Sequence, residues 1–349
     1  MGEASDRLSG RPASTGLSGC GSDLASLDQM ALADSDRRGR YRVNINSRRL
    51  FVGQGPVANT EQREYWNEVS GPKWVAVADW IESQLSGIGR LALEASGAKP
   101  GERVLDVGCG NGFTAIELAQ RVGETGRVFG LDLSRPMLKD AAARAQAAGV
   151  PRIHFLEGDA QTERLDPSYF DLVFSRFGVM FFDDPAAAFR NLHDSMKPGG
   201  RFLFACWRDR SLNPWMTVPA LAAAEYVEIP PPAAAQAPGP FAFADADRVT
   251  ALLSSAGFVD VNARSIEPGV RIGAGRERQQ ALDFILQMGP AGAALRNAQA
   301  DEGLLERVKR AVEERLEPYW DGDGFVMDAA AWLYSGRTPI ADSEGGQNG

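Results

Sequence analysis

A short apolar strand that ends in a glycine-rich turn is the feature of this sequence that most constrains its fold. Residues 104–112 read Val-Leu-Asp-Val-Gly-Cys-Gly-Asn-Gly. Glycines directly after a buried strand let the backbone approach a ligand closely. A second apolar run, residues 128–132, closes on Asp132, whose two carboxylate oxygens can bind a pair of ribose hydroxyls. Together the two segments indicate a nucleotide-type site at the open edge of a parallel sheet.

The spacing of the glycines narrows the kind of ligand. Gly108, Gly110 and Gly112 form a G-x-G-x-G pattern, and Phe113 occupies the third glycine position of the G-x-G-x-x-G dinucleotide fingerprint. This departure disfavours a nicotinamide or flavin site and favours S-adenosylmethionine. A nucleotide-dependent oxidoreductase stays as the less favoured alternative.

Alternating strand and helix signals predict the fold class. The strand signals lie at 103–107, 127–132, 152–156, 170–175 and 200–206, and the helix signals between them at 112–122, 135–148 and 185–196. Alternation of this kind implies right-handed crossovers and a mostly parallel sheet with helices on both faces. We therefore expect an α/β, Rossmann-like architecture.

The segments around this core differ in composition. Residues 1–55 are rich in Ser, Gly, Asp and Arg without an apolar period, which predicts a disordered extension. Aromatic residues recur at helical spacing in residues 56–98, which predicts an N-terminal helical lid. The cofactor-binding core is expected at 99–210. Residues 211–349 form a C-terminal part with a helix at 245–256, a strand at 258–266, helical material at 277–317, a last strand at 326–334 and a short polar tail.

Charge and cysteine content restrict partners and compartment. The formal net charge of −9 gives no global attraction for nucleic acid, and the arginines between residues 37 and 49 are interpreted as part of a solvated tail. No apolar run is long enough to cross a bilayer. The three cysteines, Cys20, Cys109 and Cys206, show no paired spacing, which disfavours a disulfide framework or metal site and fits a reducing cytoplasm.

Four blocks together resemble class I S-adenosylmethionine-dependent methyltransferases. They are residues 104–112, Asp132, residues 158–160 (Gly-Asp-Ala) and residues 196–200 (Met-Lys-Pro-Gly-Gly). The chain is most similar to the branch that contains the ubiquinone/menaquinone methyltransferases and many bacterial relatives. This resemblance implies a seven-stranded sheet of order 3-2-1-4-5-7-6, with a helical insertion before the last strand.

The resemblance also implies a set of cofactor-binding residues. The glycine turn and Asp106 would hold the amino-acid end, Asp132 the ribose, Leu133 and Met137 the adenine faces, and Asp159 with Ala160 the adenine edge. Two simpler interpretations stay open: the glycines form only a turn, and Asp132 caps the following helix. The full set is Asp106, Gly108, Gly110, Gly112, Asp132, Leu133, Met137, Asp159, Ala160 and Ser175.

An aromatic segment after the fourth strand indicates where an acceptor would bind. Such strand ends carry ligands in open sheets, and the segment lacks the Asn/Asp-Pro-Pro-Tyr/Phe motif of methyltransferases that act on exocyclic amines. The alternative is that these rings only pack the N-terminal helices onto the sheet, and that Arg176 forms a surface ion pair. The candidate acceptor-binding residues are Trp66, Trp74, Arg176, Phe177, Phe181 and Trp207.

The predicted function is methyl transfer to a small, apolar or aromatic acceptor. Because methyl transfer is an in-line displacement, the protein mainly aligns the reactants, and no catalytic residue or metal ligand is assigned. His154 is expected to be structural, His193 to face solvent, and Cys109 to pack passively. A catalytically silent cofactor-binding module is the main alternative. The oligomeric state is left unassigned.

Overall fold

The computed structural model describes residues 59–340, apart from 232, 233 and 235. It also gives the backbone of two short strands, Asp34–Ser35 and Tyr41–Arg42, which pair antiparallel. The remainder of the predicted disordered extension lies outside the described residues. In the described part of the chain, no helix combines the length and apolarity needed to span a membrane.

Seven strands form the central sheet in the order that the sequence predicts. The order is β3-β2-β1-β4-β5-β7-β6, with β1 to β5 parallel and β7 antiparallel to both β5 and β6. This confirms the expected α/β, Rossmann-like class. The strands are β1 (Arg103–Val107), β2 (Arg127–Asp132), β3 (Ile153–Glu157), β4 (Phe170–Arg176), β5 (Met196–Trp207), β6 (Val259–Ile266) and β7 (Ala331–Arg337).

Helices pack against the sheet, and others come before its first strand and between its last two strands in the chain. Helix α3 contacts α4, which contacts α5, whereas α6 contacts α8 on the other side. A π-helical turn, Tyr65–Val69, separates the first two helices. The helices are α1 (Thr60–Glu64), α2 (Ser70–Ala76), α3 (Ala78–Ser96), α4 (Phe113–Val122), α5 (Arg135–Ala147), α6 (Pro185–Ser195), α7 (Pro214–Ala223), α8 (Ala246–Ser255), α9 (Arg278–Gln287), α10 (Gly289–Asn297) and α11 (Glu302–Leu316).

In the C-terminal part, the expected last strand needs correction, whereas the expected helical material is confirmed and resolved into separate helices. The single strand predicted at 326–334 is two strands: Phe325–Met327 pairs with Val270–Ile272 in a separate ribbon, and β7 begins only at Ala331. The helical material at 277–317 is three helices. Its first break falls at Gly289, which has a φ of 71° and precedes Pro290. Both breaks depend on local backbone geometry that an apolar pattern does not report.

The sequence predicted that His193 faces solvent from α6, and this prediction is wrong. Its side chain is 24% exposed, and its ring meets Phe258 edge-on at a centroid distance of 5.2 Å. Gly257 makes room for it, because a Cβ there would lie 2.9 Å from His193 Nε2. The packing of the β6 side of the sheet against α6 therefore covers a face that helical periodicity marked as polar.

The buried side chain of Asn213 fastens β5 to the start of β7. Its amide nitrogen donates to the carbonyls of Arg208, Asp209 and Ala330, and its Oδ1 accepts from the Ala330 N–H at 3.1 Å. Oδ1 also accepts from the Trp215 indole. Buried polar groups that lose a partner are costly, so this side chain holds the segment before β7 in place.

We expect Asn213→Ala to lower the free energy of unfolding by about 2–4 kcal/mol, because several buried backbone groups lose their partner at once. Urea denaturation followed by circular dichroism measures the change. The matched control is Asn262→Ala at an exposed position of β6, for which we expect a change within about 0.5 kcal/mol. Equal effects of the two substitutions would contradict the assigned role of Asn213.

Candidate functional site

A cavity of about 1290 Å³ opens at the carboxyl ends of β1, β2 and β4. The glycine turn after β1 and the loop after β2 line one part of it. The N-terminal helices, the loop after β4 and α7 line another part. The position matches the edge where ligands bind in open parallel sheets.

The three glycines of the turn have left-handed backbone conformations but different surroundings. A Cβ at Gly108, whose φ is 68°, would lie 2.6 Å from the Gly178 Cα, and one at Gly110 would lie 2.9 Å from the Met137 Cε. These two glycines line the cavity. A Cβ at Gly112 would instead lie 2.8 Å from the Ala141 Cβ. Gly112 therefore serves the packing of the turn against α5 and is not among the residues that line the cavity.

Asp132 joins the glycine turn to the loop that follows β2. Its Oδ2 accepts from the Gly110 N–H and its Oδ1 from the Ser134 N–H, both at 2.8 Å. Burial raises the pKa of the Asp132 carboxyl, although backbone N–H groups oppose this shift. Ser134 is the N-cap of α5 and accepts from Met137 N–H. The helix-capping interpretation of Asp132 is therefore not what the structure supports.

Asp106 lies directly behind the glycine turn and is fully buried. The Thr114 hydroxyl donates to its Oδ2 at 2.7 Å. Its Oδ1 is buried and has no hydrogen-bond partner among the described residues. Burial raises the pKa of Asp106 to about 7, against smaller lowering effects of the Thr114 hydrogen bond and the Arg176 charge. Asp106 is not among the residues that line the cavity, so its unpartnered oxygen would reach a ligand through a bridging water.

Asp159 and Ala160 line the cavity, whereas Ser175 is not among its lining residues. Asp159 is held by Gln161, whose backbone N–H and side-chain amide each donate to one carboxylate oxygen at 2.9 Å. The Ser175 hydroxyl donates to the Val107 carbonyl at 2.7 Å and accepts from two N–H groups of the loop after β4. The hydroxyl of Ser175 therefore shapes this loop, and we no longer expect it to contact a cofactor.

The N-terminal helices are hydrogen-bonded to the loop after β2. The Asn67 amide donates to the Leu133 carbonyl at 2.8 Å, and its oxygen accepts from the Arg135 N–H. The Ser134 hydroxyl donates to the Trp66 carbonyl at 2.8 Å. Sequence reasoning missed Asn67, because a single Asn in a helical pattern carries no signal for such a contact. Leu133 and Met137 both line the cavity beneath these helices.

The aromatic residues predicted for the acceptor form two groups in the cavity wall. Trp66 contacts Trp74 and Phe181 edge-on, at centroid distances of 5.6 and 5.3 Å. Phe177 stacks on Trp207 at 4.1 Å with an interplanar angle of 11°. Phe177 has a φ of 65°, an uncommon conformation for a bulky residue that points to a local constraint.

Arg176 forms a two-pronged ion pair with Glu82 of α3. The nitrogen–oxygen distances are 3.0 and 2.5 Å, and the side chains of Arg176 and Glu82 are 12% and 26% exposed. Both line the cavity. Arg176 therefore forms an ion pair, as the alternative interpretation held, but the pair is largely enclosed and does not lie at the surface. Glu82 was missed because its partner is 94 residues away.

The thiol and the imidazole considered from sequence have packing roles. Cys109 is buried in the turn, and burial raises the pKa of its thiol. Its sulfur leaves no room for a side chain at Gly130, where a Cβ would lie 2.8 Å away. His154 stacks on Phe129 at 5.0 Å, and burial lowers its pKa.

Comparison with known proteins shows which proteins this chain is similar to. Residues 104–200 match the model of a methyltransferase domain. The chain is similar to aklanonic acid methyltransferase of Streptomyces sp. (strain C5), with 35% identity over 34% of this chain and 53% of that protein. It is also similar to the chloroplastic 2-phytyl-1,4-beta-naphthoquinone methyltransferase of Arabidopsis thaliana, with 34% identity over 47% of this chain and 62% of that protein. The chain thus spans a little over half the length of these relatives.

Solved structures agree on the fold. Phosphoethanolamine N-methyltransferase 2 of Haemonchus contortus, in complex with S-adenosyl-L-methionine, aligns with a TM-score of 0.51. The alignment has 19% identity and covers 82% of this chain and 61% of that one. The domain match, the quinone methyltransferase similarity and the strand order lead to one conclusion. This chain resembles the class I S-adenosylmethionine-dependent methyltransferases, in particular their ubiquinone/menaquinone-type branch.

Proposed function

We propose that this protein transfers a methyl group from S-adenosylmethionine to a small, apolar or aromatic acceptor. The observation that carries the proposal is the arrangement of Asp132 and the glycine turn at one side of a large, aromatic-lined cavity. When bound, S-adenosylmethionine supplies an electrophilic methyl group. The residues of this chain then have to bind it, align the acceptor and exclude water.

The residues present fit this cofactor. Gly108 and Gly110 line the cavity, and Asp106 Oδ1 is a buried acceptor without a described partner behind them. We assign these groups to the amino-acid end of the cofactor. Asp132 would accept the ribose hydroxyls with the remaining lone pairs of its carboxylate. Leu133, Met137, Asp159 and Ala160 would surround the adenine, and all four line the cavity.

The acceptor would lie between the two aromatic groups. The relatives are named for aklanonic acid and a phytyl naphthoquinone, both small molecules. Phe177 stacks on the buried Trp207, so the outer face of the Phe177 ring offers a flat surface. Trp66, Trp74 and Phe181 contact one another edge-on in the same cavity wall. A planar apolar acceptor can bury its faces against such surfaces. We assign no general base, since a base is needed only if the acceptor must lose a proton.

The domain division and setting are also part of the proposal. We assign residues 56–98 to a lid, 99–210 to the cofactor-binding core and 211–349 to the C-terminal part. We further propose that the protein acts in the cytoplasm without nucleic acid. The free buried thiols of Cys109 and Cys206 suit a reducing compartment. The formal charge of −9 opposes contact with polyanions.

We expect Asp132→Ala to weaken binding of S-adenosylhomocysteine about 100-fold, because two charge-assisted hydrogen bonds to the ribose are lost. Isothermal titration calorimetry measures the dissociation constants. The control is Asp328→Ala, which removes an exposed acid and should leave the affinity unchanged. Equal, tight binding by wild type and Asp132→Ala would refute the ribose assignment. Absence of binding to wild type, or tight binding of a nicotinamide dinucleotide instead, would refute the cofactor.

We expect the affinity for S-adenosylhomocysteine to rise about tenfold between pH 6 and pH 8. Asp106 has a pKa raised to about 7, so its carboxyl is mostly protonated at pH 6 and mostly ionised at pH 8. The ionised form favours the ammonium group of the ligand. Calorimetry at several pH values follows the change, and Asp106→Asn supplies the control because it reports titration of the ligand and other groups alone.

The raised pKa of Asp106 has the opposite effect on the stability of the free protein, because its contribution to folding falls as the pH rises. A carboxyl whose folded pKa is raised favours folding below its unfolded pKa of about 4. That contribution is lost as the pH rises towards 7. If the affinity for S-adenosylhomocysteine rises with pH while the stability of the free protein falls, both changes point to ionisation of Asp106. Identical pH profiles for wild type and Asp106→Asn would contradict the assignment.

A further inference from the structure

The Glu82–Arg176 pair differs from the other charged groups of the cavity. Among the described residues, four carboxylates line it: Glu82, Asp132, Asp159 and Asp209. The three aspartates accept hydrogen bonds from N–H groups of their own or adjoining loops. The described hydrogen bonds of the Glu82 carboxylate come instead from one side chain, the Arg176 guanidinium. Since a carboxylate offers about four acceptor sites, this one keeps capacity for a ligand.

The pair is held rigidly where the N-terminal helices meet the sheet. Arg176 is the last residue of β4, and Glu82 projects from the second turn of α3. Two turns further along α3, a Cβ at Gly89 would lie 2.6 Å from Arg176 Nη1. The guanidinium is therefore enclosed between helix and strand, and it fixes the carboxylate in position. A group fixed in this way can select a ligand at low entropic cost.

The location of the pair relates it to the acceptor. Arg176 directly precedes Phe177, whose ring stacks on Trp207 to form the flat surface described above. Asp132 and Asp159 line the cavity in the region assigned to the cofactor. Glu82, Arg176 and Phe177 line the same cavity, so an acceptor on the outer face of Phe177 shares that cavity with the Glu82 carboxylate. Arg176 balances the charge of Glu82, so the site as a whole presents a hydrogen-bond acceptor without a net negative charge.

We propose that Glu82 is a specificity-determining residue that accepts a hydrogen bond from a hydroxyl or amino group on the rim of a planar aromatic acceptor. Arg176 acts as a positioning residue for Glu82. This inference rests on the proposed function and narrows its substrate class. It selects phenol-like acceptors over their ethers.

A matched pair of probes tests the proposal. 1-Naphthol carries a hydroxyl donor, and 1-methoxynaphthalene presents the same rings without one. We expect wild type saturated with S-adenosylhomocysteine to bind 1-naphthol about tenfold more tightly, the effect of one hydrogen bond to a charged group. In Glu82→Gln, which keeps the side-chain shape, this preference should fall to about twofold, since hydrogen bonds to neutral groups are weaker. Affinity for 1-methoxynaphthalene and for S-adenosylhomocysteine should not change.

The control is Glu94→Gln, which breaks the exposed ion pair with Arg90 on the same helix. It should retain the tenfold preference. Thermal unfolding checks that both variants fold. An unchanged preference in Glu82→Gln, or equal weakening of both probes, would overturn the proposal, because a merely structural pair affects both ligands alike.

Two further outcomes separate this inference from the proposed function. If wild type binds S-adenosylhomocysteine but neither naphthalene probe, the acceptor class is wrong and the methyl donor stands. If 1-naphthoic acid binds more tightly than 1-naphthol, Arg176 serves as a carboxylate site and the role of Glu82 is refuted. Failure of wild type to bind S-adenosylhomocysteine would refute the proposed function itself.

Discussion

The carboxylate of Asp132 is the contact on which the candidate site depends. It accepts one hydrogen bond from an N–H group of the turn after β1 and one from the loop after β2. These two bonds connect the ends of two neighbouring strands. Ser134, one of its donors, also caps α5 and binds the Trp66 carbonyl. A chain of hydrogen bonds thus runs from the turn after β1 through the loop after β2 to the N-terminal helices.

The cavity divides into two chemically different parts. The part near β1 and β2 offers backbone, buried carboxylates and glycines, which suits a polar ligand with a ribose. The part beneath the N-terminal helices offers stacked and edge-on rings with the single enclosed pair Glu82–Arg176. In the proposed reaction, the first part holds the methyl donor and the second aligns the acceptor.

Sequence patterns predicted the sheet well and the local exceptions poorly. The alternation of strands and helices and the tight turn at Gly108 follow from local patterns, and the strand order that the resemblance implies is confirmed. Gly112 and Ser175 lie in the same motifs, yet one packs on α5 and the other bonds to the loop after β4. Pattern alone cannot tell a residue that lines a cavity from one that builds its wall. His193 shows the same limit, because its exposure depends on Phe258, which is distant in sequence.

The sequence by itself determined the fold class and the residues of the glycine turn, because those depend on short-range periodicity and on backbone freedom at glycine. The strand order came from the resemblance to known methyltransferases and not from periodicity. Only the tertiary structure decided which side chains share the cavity. Glu82 meets Arg176 across 94 residues, and Asn67 meets Leu133 across 66. Such pairs form because helices fold back over the ends of the strands, and the side-chain neighbours brought together in this way leave no local signal in either segment.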